Sequence, residues 1–424
     1  MIKTKAIQAL TSITVAGIVL LAVAQVMGHG AAEEETNQDD LDARRPVHVL
    51  IGFDNTPGPT EHALVEAHGG VILDSFWLTP AIWASISPGQ VKALASHPEV
   101  RYVQADVAIV AEGTGFQEPA RQPPWNLARV FGGEPPAFAA AWAGTGQAPG
   151  VAVLDTGIDA SHPALEVQDL GASTVSFYPD WESDPRVDPG GMGTYMAGLI
   201  AGFGNPRTGL APGVNLHSVR VMTPHGLGTH ATVIAGLQWA VEHEIPIITM
   251  SFGHERKPCQ ALREACDAAY RAGHLLIAPS GHGGNPFGMD PTVMCPARYG
   301  SVMAVAASGP EDTRWKHASM GPEVELIAPG AGVVTTAPSG EYARIDWTPA
   351  AVAHVAGAAA LVWGANPDLT NEEVRATLRD TAEDLGLDPW EQGHGLLRAD
   401  RAIAAANAQR VLAVQTRPKS RTYR

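Results

Sequence analysis

Five short apolar runs without polar–apolar alternation constrain this chain more than any other feature. They lie at 150–154, 216–222, 245–250, 275–278 and 302–306. A strand covered on one face alternates, whereas a strand covered on both does not, so such runs belong in a parallel sheet between helices. Helix-forming stretches separate them at 229–243, at 261–271 with Gly273 near its end, and at 349–365; Thr370 with Glu373 forms a capping box for a later helix. Strand–helix alternation of this length predicts an α/β fold with a doubly wound parallel sheet. Ligands then bind outside the carboxyl ends of the strands.

A smaller unit precedes this sheet. Residues 47–53 read as a strand, 60–68 as a helix stopped by Gly69-Gly70, and 71–77 and 81–86 as strands joined at Pro80. Ser87-Pro88 supplies an N-cap and a first-turn proline for a helix ending near His97-Pro98, and 100–105 closes the unit as a strand. The order βαββαβ is that of a ferredoxin-like α+β module. The chain divides into 1–31, a signal peptide or membrane anchor; 32–45, an acidic linker; 46–111, the module; 112–124, a Gly/Pro-rich linker; 125–408, the large domain; and 409–424, a basic tail.

Lys3 and Lys5 ahead of the apolar stretch 6–27, with Glu33-Glu34-Glu35 after it, have the layout of an export signal. Ala22-Val23-Ala24 fits small-x-small cleavage, while the apolar length just suffices to span a bilayer, so cleavage and anchoring both stay open. Either way the folded part is expected outside the cytoplasm, touching a membrane only through an uncleaved N-terminal segment. A net charge of −16 excludes nucleic-acid binding as a function class, since neutralising phosphates takes clustered cations. Three cysteines, Cys259, Cys266 and Cys295, allow one disulfide with a free thiol, or three buried thiols.

Asp155 ends a buried run, where a carboxylate that orients a catalytic base would sit. Further motifs follow in order: Asp155-Thr156-Gly157-Ile158-Asp159, Gly209-Leu210-Ala211-Pro212, Met250-Ser251-Phe252-Gly253, Glu325-Leu326-Ile327-Ala328-Pro329-Gly330, His354-Val355-Ala356-Gly357 and Gly393-His394-Gly395-Leu396-Leu397. On these stretches the chain resembles a subtilase, a subtilisin-like serine peptidase with an N-terminal inhibitory propeptide, over residues 47–408.

The resemblance implies four catalytic parts: nucleophile, base, orienting carboxylate and oxyanion donor. Three of their positions are changed. The base position in Met192-Gly193-Thr194-Tyr195-Met196-Ala197-Gly198 holds Met192. The nucleophile position in Trp347-Thr348-Pro349-Ala350 holds Pro349, with Thr348 placed as helix N-cap. His282 takes the oxyanion asparagine's place, and only Asp155 is kept. His230, in Gly228-Thr229-His230, reads as a surface or helix-start histidine and not as a relocated base.

Gly226-Leu227-Gly228 and Ser251-Phe252-Gly253 match the family's strands that flank an extended peptide by backbone pairing. The first occupant of that groove is expected to be the chain's own segment 105–115, and otherwise an extended peptide or protein. No cofactor is implied. The loop 202–208, which binds calcium in many relatives, is short and lacks a carboxylate, so calcium has no clear site. The sixteen histidines form no zinc motif. The reading carried forward is an exported subtilisin-fold pseudoprotease that binds peptide or protein without hydrolysis and keeps its propeptide. The alternatives are an active endopeptidase using Ser280, His282 and Asp155, and a structural envelope protein.

Overall fold

Leu50 and Ile51 are strand neighbours pointing to opposite faces, yet neither is exposed at all. The strand is therefore covered twice. The computed structural model describes residues 45–111, 118–119, 125–133, 149–167, 186–204, 206–254, 258–284 and 291–416. The leader, almost all of the acidic linker, most of the 112–124 linker and the end of the basic tail lie outside the described residues.

The first elements are β1 (Val47–Gly52), α1 (Pro59–Ala67), β2 (Val71–Phe76), β3 (Ala81–Ile86), α2 (Pro88–Ala95) and β4 (Tyr102–Ala105). Their strands form an antiparallel sheet ordered β2-β3-β1-β4. One face, with Val49, Ile51 and Ile82, packs on Val65 of α1 and Leu94 of α2. The other face, with Leu50, its register partner Trp83, Phe76 and Leu78, joins a core shared with the large α/β domain.

That domain follows β5 (Ala108–Ala111), β6 (Glu118–Pro119) and α3 (Trp125–Phe131). It comprises β7 (Gly150–Asp155), α4 (Met192–Ala201), β8 (Asn215–Arg220), β9 (Leu227–Thr229), α5 (His230–Glu242), β10 (Ile247–Met250), β11 (Phe252–Gly253), α6 (Gln260–Arg271), β12 (Leu275–Pro279), β13 (Val302–Ser308), β14 (Val324–Pro329), β15 (Val333–Ala337), β16 (Glu341–Ile345), α7 (Thr348–Ala365), α8 (Asn371–Asp380), α9 (Pro389–Gln392) and α10 (Ala399–Thr416). Six strands pair in parallel in the order β14-β13-β12-β10-β7-β8, the doubly wound sheet that the non-alternating runs predict. α7 is long and apolar enough to cross a membrane, but 94% of it is buried in the protein, as suits a core helix.

The small unit and the residue after it dock on α5 and α6 and accept from one first-turn N–H of each. Asp106 accepts from Ala231 N at 3.1 Å, and Gln104 Oε1 accepts from Gln260 N at 3.1 Å. Glu264 on α6 gathers Arg101 at 2.7 Å together with the Tyr102 and Thr79 hydroxyls. Glu264→Ala is expected to weaken this contact by about 1–2 kcal/mol. Amide exchange in β2 and β3 should quicken while that of the parallel sheet stays unchanged.

Candidate functional site

Asp155 is the last residue of β7 and is completely buried. Its Oδ1 accepts from Thr156 N at 2.7 Å, but its Oδ2 has no hydrogen-bond partner among the described residues. The Ser251 hydroxyl lies near enough to favour the charged form, yet its Oγ makes no hydrogen bond among the described residues. Burial, and secondarily the Asp188 carboxylate, pushes Asp155 up to about 7. Asp188 is buried too, but fully satisfied: Oδ1 accepts from the Thr156 hydroxyl and Gly191 N, and Oδ2 from the Thr194 hydroxyl and N–H. Its position just ahead of α4 is the sequence signal, a carboxylate before a helix start, that could have singled it out.

The first turn of α4 lies against Asp155. A Cβ on Gly193 would stand 1.8 Å from Gly157 O and 3.2 Å from Asp155 Cβ, so only glycine permits this approach. Met192, the first residue of that turn, is half-buried and reaches towards Gly226: a Cβ there would meet Met192 Cε at 2.7 Å and Ala111 Cβ at 2.9 Å. The thioether methyl of Met192 thus lies beside Gly226.

The other corner forms where β12 ends beside the start of α7. Thr348 Oγ1 donates to Gly281 O at 3.1 Å, and the Tyr195 and Trp347 rings, 5.2 Å apart, tie this corner to α4. Trp347 is the N-cap, so Thr348 is not: it is the first helical residue, and Pro349 follows it, buried in the first turn. The one-residue difference leaves the physics intact, because no early N–H has an intrahelical partner for proline to remove. His282 packs edge-on to Trp315 at 4.6 Å and parallel to His317 at 6.1 Å. Burial pushes its ring down to about 4, and its Nδ1 has no partner among the described residues. The Ser280 hydroxyl is buried and donates to Ser319 O at 2.9 Å. His354, the histidine nearest Pro349 in sequence, is committed as well: Nδ1 donates to Ala350 O at 2.7 Å, which leaves Nε2 to accept from Asn126 Nδ2 at 2.7 Å.

Between these corners runs a three-stranded antiparallel sheet ordered β11-β5-β9. Val110 pairs with Gly253 and Leu227, Ala111 with Phe252, and Ile109 with Gly228. Ala111 N also donates to Gly226 O at 2.7 Å. All six residues singled out as groove walls thus border or adjoin one segment of the same chain. Ile109 and Ala111 point inward while Ala108 and Val110 face out.

A model of the subtilase family matches residues 146–401. The chain belongs to the subtilase family. It is 33% identical to subtilisin NAT of Bacillus subtilis subsp. natto over 359 residues, covering 83% of this chain and 89% of that protein. It is 38% identical to subtilisin DY of Bacillus licheniformis over 254 residues, covering 59% of this chain and 89% of that protein. To an alkaline protease of Alkalihalobacillus alcalophilus it is 33% identical over 368 residues, 83% and 90% of the two chains.

Further features of this subtilase bear on the sequence reading. His230 does start a helix, but it is 4% exposed and so not a surface residue, because β5 covers it. All three cysteines are free and buried. Among the described residues no group of three or more His, Cys, Asp or Glu is placed to hold a metal ion. In the loop 202–208, Arg207 donates to the carbonyls of Gly209 and Leu210, so a side-chain cation already engages backbone oxygens there.

Proposed function

We propose that this subtilase is a catalytically silent binding protein, exported from the cytoplasm, whose residues 46–111 are a retained inhibitory propeptide. The observation that carries this reading is that Met192 begins the helix turn packed against Asp155, at the position the resemblance gives to the base. A serine-type mechanism needs an imidazole that Asp155 orients and that takes a proton from the nucleophile. Met192 can do neither, and Asp155 Oδ2 is left buried without a donor among the described residues. Pro349 removes the nucleophile and also a backbone N–H from the helix start that serves an oxyanion. The substitute set is not supported, because Ser280 is buried with its hydroxyl committed and His282 faces Trp315 and His317.

The ligand class proposed is an extended peptide or protein segment that pairs with Leu227–Thr229 and Phe252–Gly253 when β5 is not between them. No cofactor is proposed. The test is intact mass on protein beginning at residue 32, beside its Asp155→Ala form. A single full-length species is expected from both. If the parent splits within 112–124 and Asp155→Ala does not, the chain cleaves itself and the reading fails.

A further inference from the structure

His230 and His254 face each other across 3.4 Å, Nε2 to Nε2, beneath the segment that runs through the groove. They are 4% and 9% exposed, with ring centroids 4.6 Å apart, edge to face. The segment is clamped at this point. Val107 N donates to His230 Nδ1 and His230 N to Val107 O, both at 3.4 Å, while Asp106 accepts from Ala231 N and Ala108 pairs with Thr229.

Proton counting fixes the tautomers. A backbone N–H can only donate, so His230 Nδ1 must carry its lone pair and the neutral ring holds its proton on Nε2. That proton points at His254 Nε2, which must accept it. The Nε2–Nε2 contact has room for one proton. A second proton sets either His230 Nδ1–H against Val107 N–H or two Nε2–H groups head to head, and adds a buried charge. A metal ion bridging the two Nε2 atoms would need the proton that His230 keeps there to be lost, so the tautomer disfavours it.

We propose that His230 and His254 form an acid-released latch: protonation of the pair expels residues 106–111 and opens the groove to another extended peptide. This rests on the reading that the segment is a retained inhibitor, and it adds how the segment is let go. Among the described residues, Asp106 on the segment accepts from Ala231 N beside His230, the Cys295 carbonyl accepts from His254 N, and His48 of β1 and Cys259 at the start of α6 lie close enough to Asp106 to interact with it; His254 has a further partner besides these. Among the described residues no lysine or arginine acts on the His230 ring; Glu255, Arg256 and Lys257 lie outside them. Burial first, and then His254, holds His230 down to about 3 in the closed form, while a released ring returns to about 6.5. A group whose closed-state value is depressed stabilises the closed state above the open-state value and loses that contribution as pH falls. One proton taken up on opening favours the open form about 100-fold at pH 4.5.

The test is hydrogen exchange on the chain from residue 32 at pH 7.5 and 4.5, corrected for intrinsic rates. In the parent, protection of amides 108–111 is expected to fall about 100-fold, with β10 amides unchanged as a control for global unfolding. His230→Asn keeps an acceptor for Val107 N–H but cannot titrate, and should change less than about 3-fold. Should that variant misfold, His254→Gln decides: without its like-charged partner the closed His230 ring takes a proton more readily, so less proton is taken up on opening and the opening midpoint should move to lower pH. Unchanged protection in the parent, an unchanged response in His230→Asn, an unmoved midpoint in His254→Gln, or a response abolished only by Asp106→Asn would each overturn the latch. Amides 108–111 that are unprotected already at pH 7.5 would instead sink the retained-inhibitor reading.

Discussion

A chain carrying Met192→His together with Pro349→Ser is expected to cut itself between 112 and 124, where the parent stays whole. Three features make the site receptive. Asp155 Oδ2 is buried and lacks a donor among the described residues, and an imidazole Nδ1–H at residue 192 would supply one. The α4 turn that carries residue 192 is held against Asp155 by the close approach at Gly193. Serine at 349 would enter the first turn of a helix whose start is anchored by Thr348 to Gly281 O, and it restores a backbone N–H there. Nucleophile and base act as a unit worth about a million-fold in kcat, so each single substitution should remain silent. His282, a poorly placed substitute donor, withholds about 100- to 1,000-fold of this, which His282→Asn should return. The readouts are the mass of the released N-terminal fragment and hydrolysis of a chromogenic peptide. If the folded triple variant neither splits nor hydrolyses, then Asp155, Met192 and Pro349 do not occupy the working positions assigned to them.

What could be read from the residues, and what could not, follows from which forces act locally. The doubly wound sheet was legible because burial on both faces writes itself into composition, run by run. β14 was harder to see as a strand, since Glu325 interrupts it; that carboxylate pairs with Arg375 of α8, a partner about fifty positions away. The β15–β16 hairpin is hidden in the sequence for a related reason. Thr335 and Thr336 look polar, but their hydroxyls donate to the carbonyls of Tyr195 and Thr194 in α4, so every residue of β15 is buried. Met192 and Pro349 were legible because they stand inside strings that define the family. The burial of His230 was not, because it depends on β5 lying across the start of α5, a packing that no local pattern records.

Asp155→Asn should make the folded chain more stable at pH 8, by roughly 2–4 kcal/mol, and leave it little changed near pH 4. The sign follows from a carboxyl whose folded value is raised. Between the unfolded value of 3.8 and the folded value of about 7, the native chain keeps a proton that the unfolded chain releases. Stability is therefore fully present below the lower value and has been lost once pH exceeds the upper one. Asparagine keeps an acceptor for Thr156 N, offers an N–H towards Ser251, and removes both the desolvated charge and its repulsion with Asp188. Urea unfolding at pH 4, 6 and 8 measures the difference. A variant less stable than the parent at pH 8 would mean that the charge has a donor after all, and the orphaned-carboxylate account would fall. The same substitution in the Met192→His background gives the sharper contrast. There the charged Asp155 has an imidazole to hold, so asparagine should cease to stabilise, and the coupling between residues 155 and 192 reports directly on the contact the parent has lost.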